Sequence, residues 1–497
     1  MKAVVPLLLF LFVCGNNLSA QNNDYNAYLK QRQEELDKYK SKQIIDFEAY
    51  RDRINSEFAE FMSMPWEKKE RKAPLVKPKD EVPDVPPIVL PDLDEIEIPE
   101  DNEIIIKDIK PLVIDDKPIP IAPVKYKPKP SEKTISVMLY GTKCMLRFDV
   151  GGKKHMQGTN EKAAAKYWSF LSSGDYDNLL ADCLAVKDRI DLCDWAYYKL
   201  LSVASEFIYG KTNEGVLLCA WLMNQSGFDL RLGRTQDNSI HLMLQVSEGV
   251  LGYTYYVLNG HNYYLFEKGD LGSMYIFDRG FPGAKPLRLT LTESNKFDRK
   301  VSKERVLKSR RYPDVVVSAN ANMNLLELYS DYPQAFSGGD SRTTWSIYAN
   351  APVSAELKNT VYPRLRKAIE GKSQAEAANI LLNFVQTAFD YKVDNDAWGY
   401  ERAFFPEETV YYPFSDCEDR AILFSRLVRD IMKRDAILLY YPGHLATAVE
   451  FSETIPGDYI IIAGHRYLVC DPTFINAEIG RTMPGMDNSK AYVVLLK

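Results

Sequence analysis

Histidine is scarce in this 497-residue chain, with five copies, and none of its seven cysteines pair at C-x-x-C spacing. Zinc-finger, iron–sulfur and redox-dithiol chemistries therefore lack their usual ligand geometry. Neither sign of charge dominates: 62 basic residues stand against 68 acidic ones, a net charge of −6, which leaves no overall field for gripping nucleic acid. Beyond the extreme N-terminus no stretch reaches the roughly 18 to 20 uninterrupted apolar residues of a spanning helix. What is present, 46% hydrophobic residues, excludes a wholly disordered chain, and the length suffices for two or three domains.

Lys2, the apolar run Val4 to Val13 and the small-residue stretch Leu18-Ser19-Ala20 have the layout of a secretory signal peptide, residues 1–20, cut before Gln21. Its expected destination is the periplasm or cell surface, with no transmembrane segment after cleavage. Lipidation at Cys14 is the alternative, although Val13 is bulkier than the residue expected before a lipidated cysteine. From Asp24 to Met62 there is no Gly or Pro, and Leu36, Tyr39, Phe47, Tyr50, Ile54, Phe58 and Phe61 recur at helical intervals. This predicts one amphipathic helix over 21–64, packing on the body or on a partner, since Lys40, Gln43 and Glu57 interrupt any strict heptad. Residues 65–130 hold 14 of the 27 prolines, and Asp80 to Glu103 carries ten acids without a Lys or Arg. That composition reads as an extended acidic spacer or a disordered tether.

The body contains an internal repeat. Asn213-Glu214 leads into the apolar run Val216 to Met223, and Cys417-Glu418 leads into Ala421 to Phe424, at an offset of 204. His241-Leu242 matches His444-Leu445 at 203, Gly260-His261 matches Gly464-His465 at 204, and Glu267 matches Asp471 at 204. Polar matches in register at separated points favour duplication over chance similarity between two helix–sheet units. The second copy carries about 22 extra residues, Val393 to Phe414, just ahead of its cysteine. Loops of this kind build sites.

Ser415-Asp416-Cys417-Glu418-Asp419 precedes an apolar-periodic run, which predicts a helix whose first turn holds Cys417. The helix dipole there favours thiolate, three carboxylates oppose it, and a nearby cation is needed; imidazolium is the usual one. His444 stands at the head of a strand after a Gly turn, and Asp471 ends the next strand before Pro472. Adjacent antiparallel strands would let Asp471 hold one nitrogen of His444 while the other faces Cys417. Individually each residue also fits a plain core or turn role; the series Cys, His, Asp is harder to dismiss. A metal site from Cys417, His444 and Cys470 carries less weight, because Cys470 and Asp471 point to opposite faces of a strand.

Three motifs, Asp416-Cys417-Glu418-Asp419-Arg420-Ala421, Gly443-His444-Leu445-Ala446 and Asp471-Pro472-Thr473, resemble those of the transglutaminase-like superfamily of papain-fold cysteine enzymes. The resemblance covers about residues 353–480. It implies Cys417 as nucleophile, His444 as general base and acid, Asp471 as the group orienting His444, and no cofactor or metal. Members include transglutaminases, peptidases, amidases and inactive relatives, so the motifs imply a mechanism rather than a substrate. Tyr411 or Tyr412 would be an oxyanion donor beside the Cys417 N–H, and Trp398 would line the acyl pocket; aromatic packing under the loop explains all three equally well. The first copy has Asn213, His241 and Glu267 in the matching places, and Asn213 cannot form a thioester. Cys219 is no substitute, being expected as a buried structural thiol.

The expected fold is α+β: a long helix, a Pro-rich spacer, a degenerate transglutaminase-like lobe with a β-rich extension over 131–345, and a catalytic transglutaminase-like lobe over 346–497. The expected function is secreted, thiol-dependent acyl transfer at amide bonds of a peptide or protein, with a cell-envelope peptide among the substrates considered. The rival is a non-catalytic envelope binding or assembly protein retaining the fold.

Overall fold

In the computed structural model the described residues are 48–91, 100–113, 117, 129–267, 269 and 271–497. The expected signal peptide, Cys14 and the part of the expected helix up to residue 47 lie outside them. The chain divides into a unit over 1–54 and a unit over 55–497. In the first, 48–54 are helical; in the second the helix, α1, runs on to residue 62. At 35% helix and 24% strand the fold is mixed α+β, built on two curled half-barrel sheets.

The described parts of the stretch expected to be a spacer, 65–91 and 100–113, are laid onto the body. They supply β1 (Glu67–Lys69), β2 (Asn102–Ile105) and β3 (Ile109–Lys110) as edge strands of the two sheets. The prolines flank these strands rather than interrupt them, and an edge strand needs ladder bonds on one side only. The hairpin β4 (Glu132–Leu139) and β5 (Thr142–Asp149) follows, then α2 (Glu161–Leu171), α3 (Asp177–Arg189), α4 (Asp194–Tyr209) and α5 (Asn213–Gln225). Strands β6 (Leu230–Arg234), β7 (Ile240–Gln245), β8 (Gly249–Val250), β9 (Tyr255–Leu258), β10 (His261–Tyr264) and β11 (Met274–Phe277) come next. The first sheet has the order β1-β11-β6-β7-β10-β9.

Within the expected β-rich extension, residues 286–319 are mostly irregular chain with one hairpin, β12 (Arg305–Lys308) and β13 (Val316–Ala319). After it come α6 (Met323–Asp331), β14 (Ala335–Phe336), α7 (Thr344–Asn350), α8 (Ala355–Thr360), α9 (Tyr362–Ile369) and α10 (Gln374–Thr387). Then β15 (Asp390–Tyr391) pairs in parallel with β16 (Phe414–Ser415), closing an excursion that contains α11 (Asp394–Ala397) and α12 (Pro406–Tyr411). That excursion is the extra loop expected from the repeat. Helix α13 (Cys417–Leu427) leads to β17 (Ala436–Tyr441), β18 (His444–Glu450), β19 (Asp458–Ile462), β20 (His465–Cys470) and β21 (Tyr492–Leu495). Their sheet has the order β2-β19-β20-β18-β17-β21-β3.

Both faces of this second sheet are covered. Val449, Leu468 and Cys470 pack against Leu381 and Phe384 of α10 and Leu423 and Leu427 of α13. Ile437, Leu439, Ala446, Ala448 and Val469 form a separate cluster on the other face. Strand alternation at period two produces this division.

The two sheets share a turn. Asn259-Gly260 joins β9 to β10 with φ of 50° and 81°, and Ala463-Gly464 joins β19 to β20 with φ of 48° and 86°. Two positive φ values make these type I′ turns, which suit Asn-Gly and strain Ala. Ala463 is exposed, so the strain has no packing to offset it. Ala463→Asn is expected to stabilise the protein by about 0.5–1 kcal/mol, measured by denaturant unfolding at unchanged slope.

Candidate functional site

Helix α13 starts at Cys417 because Asp416 and Asp419 form a capping box: Asp416 accepts from the Asp419 N–H and Asp419 from the Asp416 N–H. Ahead of it, β18 begins at His444 after the tight Pro442-Gly443 turn. The β18–β20 register pairs Thr447 with Cys470 and ends there, because Pro472 has no N–H to extend the ladder. His444 and Asp471, on one pleat face, then meet diagonally, with Nε2 2.8 Å from the Asp471 carboxylate. The second Asp471 oxygen accepts from the N–H groups of Thr473 and Phe474 at 2.8 and 3.2 Å. The amide of Gln386, on α10, donates to the carbonyls of Asp471, Phe474 and Ala477 and fixes that turn.

Cys417 approaches from the opposite side of the pleat, on the helix face, at the opening left where β20 departs. Its sulfur accepts from the Leu445 N–H, one residue past His444, and it donates to Glu418 Oε2 at 3.4 Å. No hydrogen bond joins Cys417 to His444, and His444 Nδ1 has no partner. Cys417 opens α13 and His444 opens β18 as expected, whereas Asp471 lies one residue past the end of β20; the His–Asp contact is formed and the Cys–His contact is not. Cys417 and His444 have no exposed surface, and Asp471 has 2%. Burial first, then the Glu418 and Asp416 carboxylates, pushes the Cys417 thiol well above its ordinary range, so the resting thiol is protonated.

The carboxyls around it are raised too. Burial, with Asp419 the next cause, lifts Asp416; burial, with Asp416 next, lifts Glu418; burial, with Asp394 next, lifts Asp419. Burial carries Asp394 to about 7 and Glu408 to about 7. Among the described residues, the Asp394, Glu401 and Glu418 oxygens lie within 4.8 Å of one another, close enough to hold a cation. The positive charge there is an ammonium: Lys77 Nζ lies 2.9 Å from Glu401 Oε1 and 4.0 Å over the Trp345 ring.

Two further residues were not singled out in the sequence. Arg420, fully buried, donates to the Gln386 and Phe389 carbonyls at 3.2 and 2.9 Å and to Ser415 Oγ at 3.1 Å, tying the start of α13 to the end of α10. Burial brings its guanidinium down to about 10. Tyr391 pairs with Ser415, two residues before Cys417, and burial is the main cause of its raised phenol. Its signal in the sequence is its position two residues before the extra loop, Val393 to Phe414.

The loop aromatics pack on one another. Trp398 meets Phe404, Tyr412 and Phe414 edge-on with Arg402 4.5 Å above it, and Tyr411 lies 5.0 Å from Tyr412. Tyr412 is engaged by Arg402, and neither Tyr411 nor Tyr412 bonds to the triad. Cys470 faces the helical core and donates to Leu468 O at 3.4 Å.

On the first sheet, His241 Nδ1 lies 2.9 Å from Glu267, using the ring nitrogen opposite to that of His444. Asn213 accepts from the Ile240 N–H at 2.8 Å and donates to Asn238 O at 3.0 Å, clipping the β6–β7 turn. Asn213, His241 and Glu267 line a cleft of about 500 Å³, and Cys219 reaches it although only 5% exposed.

No family model, curated protein or solved structure matches this chain.

Raised carboxyl pKa values set the sign of the pH dependence. Asp394 and Glu408 bind protons in the folded state up to about 7, whereas an unfolded chain releases them near 4. Their contribution is complete below the unfolded pKa and is lost as pH rises through about 7. The melting temperature is therefore expected to fall between pH 5.5 and 8, and Asp394→Asn to flatten that slope.

Proposed function

We propose that the second sheet and α13 form a thiol-dependent acyl-transfer site, with Cys417 as nucleophile, His444 as general base and acid and Asp471 as its orienting group. The observation that carries this reading is the buried His444–Asp471 pair, whose free Nδ1 lies one residue from the N–H that meets the Cys417 sulfur. In the reaction, the Cys417 proton passes to His444 as sulfur attacks an amide carbonyl. The imidazolium then protonates the leaving amine, and water or a second amine resolves the thioester. The Cys417 N–H, at the first turn of α13, suits an oxyanion. Peptide or protein amides are the substrate class, in the periplasm or at the cell surface.

Tandem transglutaminase-like lobes are part of the same proposal. The orders β11-β6-β7-β10-β9 and β21-β17-β18-β20-β19 correspond strand for strand, and α4–α5 and α10–α13 stand before them. With Asn213 committed to a turn and its cleft open, the first lobe suits recognition rather than chemistry.

A non-catalytic envelope binding or assembly role has one observation in its favour, the sealed and protonated Cys417. Prolonged incubation with an electrophilic amide analogue, followed by mapping of the modified cysteine, separates the two. Modification is expected at Cys417 ahead of Cys144, Cys183, Cys193, Cys219 and Cys470, and should slow by roughly a hundredfold in His444→Ala and His444→Gln, the usual weight of a general base. A rate indifferent to His444 in variants of native melting temperature would remove the catalytic reading.

A further inference from the structure

Residues 75–91 cross the closed site. The N–H groups of Asp84 and Val85 both donate to the Gly443 carbonyl, at 3.0 and 3.1 Å, one residue before His444. The fit is close enough that a Cβ on Gly443 would stand 3.1 Å from Asp84 and 3.2 Å from Val85. The Val85 carbonyl accepts from the Tyr391 hydroxyl at 3.0 Å, and Tyr391 pairs in β15–β16 with Ser415, two residues before Cys417. Further along, Ile88 and Leu90 exchange main-chain bonds with Ile475 and pack on Phe474, just beyond Asp471. The segment thus touches the turn before His444, the tyrosine paired with the strand that leads into Cys417, and the turn after Asp471.

Its other anchor is Lys77. The side chain is 7% exposed, with Nζ between the Trp345 face and Glu401. Glu401 belongs to the trio with Asp394 and Glu418, and Glu418 is the residue whose other role is to accept from the Cys417 thiol. An aromatic face opposed by carboxylates is a built receptor for a primary ammonium. Here a lysine from elsewhere in the same chain fills it.

We propose that residues 75–91 occupy the substrate groove of this site in cis, and that the groove itself takes an extended peptide whose lysine side chain enters the Trp345–Glu401–Glu418 pocket. The assignment of a substrate rests on the acyl-transfer reading above; the occupancy does not. A peptide in trans would replace the main-chain bonds at Gly443 and the ammonium at Glu401 together, and the cis segment holds them at the high effective concentration of a tether.

The test measures access to Cys417 with methyl methanethiosulfonate, in full-length protein, for wild type, Lys77→Met and Tyr391→Phe, with melting temperatures to verify folding. Each variant is expected to label Cys417 at least about tenfold faster, the shift in an opening equilibrium that loss of one hydrogen bond to a charged or phenolic partner produces. A synthetic peptide of residues 72–91 should restore protection to Lys77→Met, and the same peptide with Met in place of Lys77 alone should need at least about tenfold more for the same effect. Unchanged labelling in both folded variants, or equal protection by the two peptides, overturns the proposal. The same acceleration is expected on a His444→Ala background. If it appears there while the opened wild-type triad turns over no peptide amide, the occupancy stands and the acyl-transfer reading falls. If it is absent while Cys417 modification in wild type still depends on His444, the occupancy falls and the catalytic reading stands.

Discussion

Burying several carboxyl groups around one helix start is the constraint on which the second half of the molecule depends. Asp394, Glu408, Asp416, Glu418 and Asp419 are all buried. An unpaired carboxylate in such a place is costly enough that it protonates or finds a cation. Each solution recruits a different segment. Arg402 pairs with Glu408 and folds the 393–414 excursion over α13; Arg420 reaches the end of α10; Lys77 arrives from the Pro-rich stretch. Charge compensation at one helix terminus therefore dictates contacts spanning more than three hundred residues of chain.

The asymmetry between the two sheets has a compact physical expression at one matched position. In α5 it is Gly215, where a Cβ would stand 2.5 Å from the Gly210 carbonyl, because α4 turns directly into α5. In α13 it is Asp419, whose carboxylate accepts from the Phe404 N–H of the excursion at 2.8 Å. Glycine permits the short connection and aspartate receives the long one. The same choice leaves the first cleft open and helps bury the second.

What the sequence made legible was local. The order Cys417, His444, Asp471, the capped helix, the Gly turn before β18 and the length of the extra loop all follow from spacing and turn chemistry, and the structure contains each. The His444–Asp471 contact was readable because strand pairing and pleat parity determine it. The missing Cys417–His444 bond was not, since it depends on which side of the pleat α13 packs and on what fills the opening. Least legible was the stretch over 65–113. Proline and acid content report how a segment behaves in water; they carry no record of Gly443, Tyr391 or Trp345, which lie hundreds of residues away and supply its bonds.

Those edge strands also bear on how the molecule reaches its folded state. β2 pairs in parallel with β19, Asn102 opposite Asp458, and β3 with β21, Ile109 opposite Val493. Both edges of the second sheet are thus closed by chain made long before the strands they join, contacts of high sequence separation that form slowly. During synthesis, residues 102–110 have no strand partner until β19 and β21 are made, more than three hundred residues later. The sheet's hydrophobic faces can assemble from α10 onward, but its rims stay open, available to other strands, until β2 and β3 reach them.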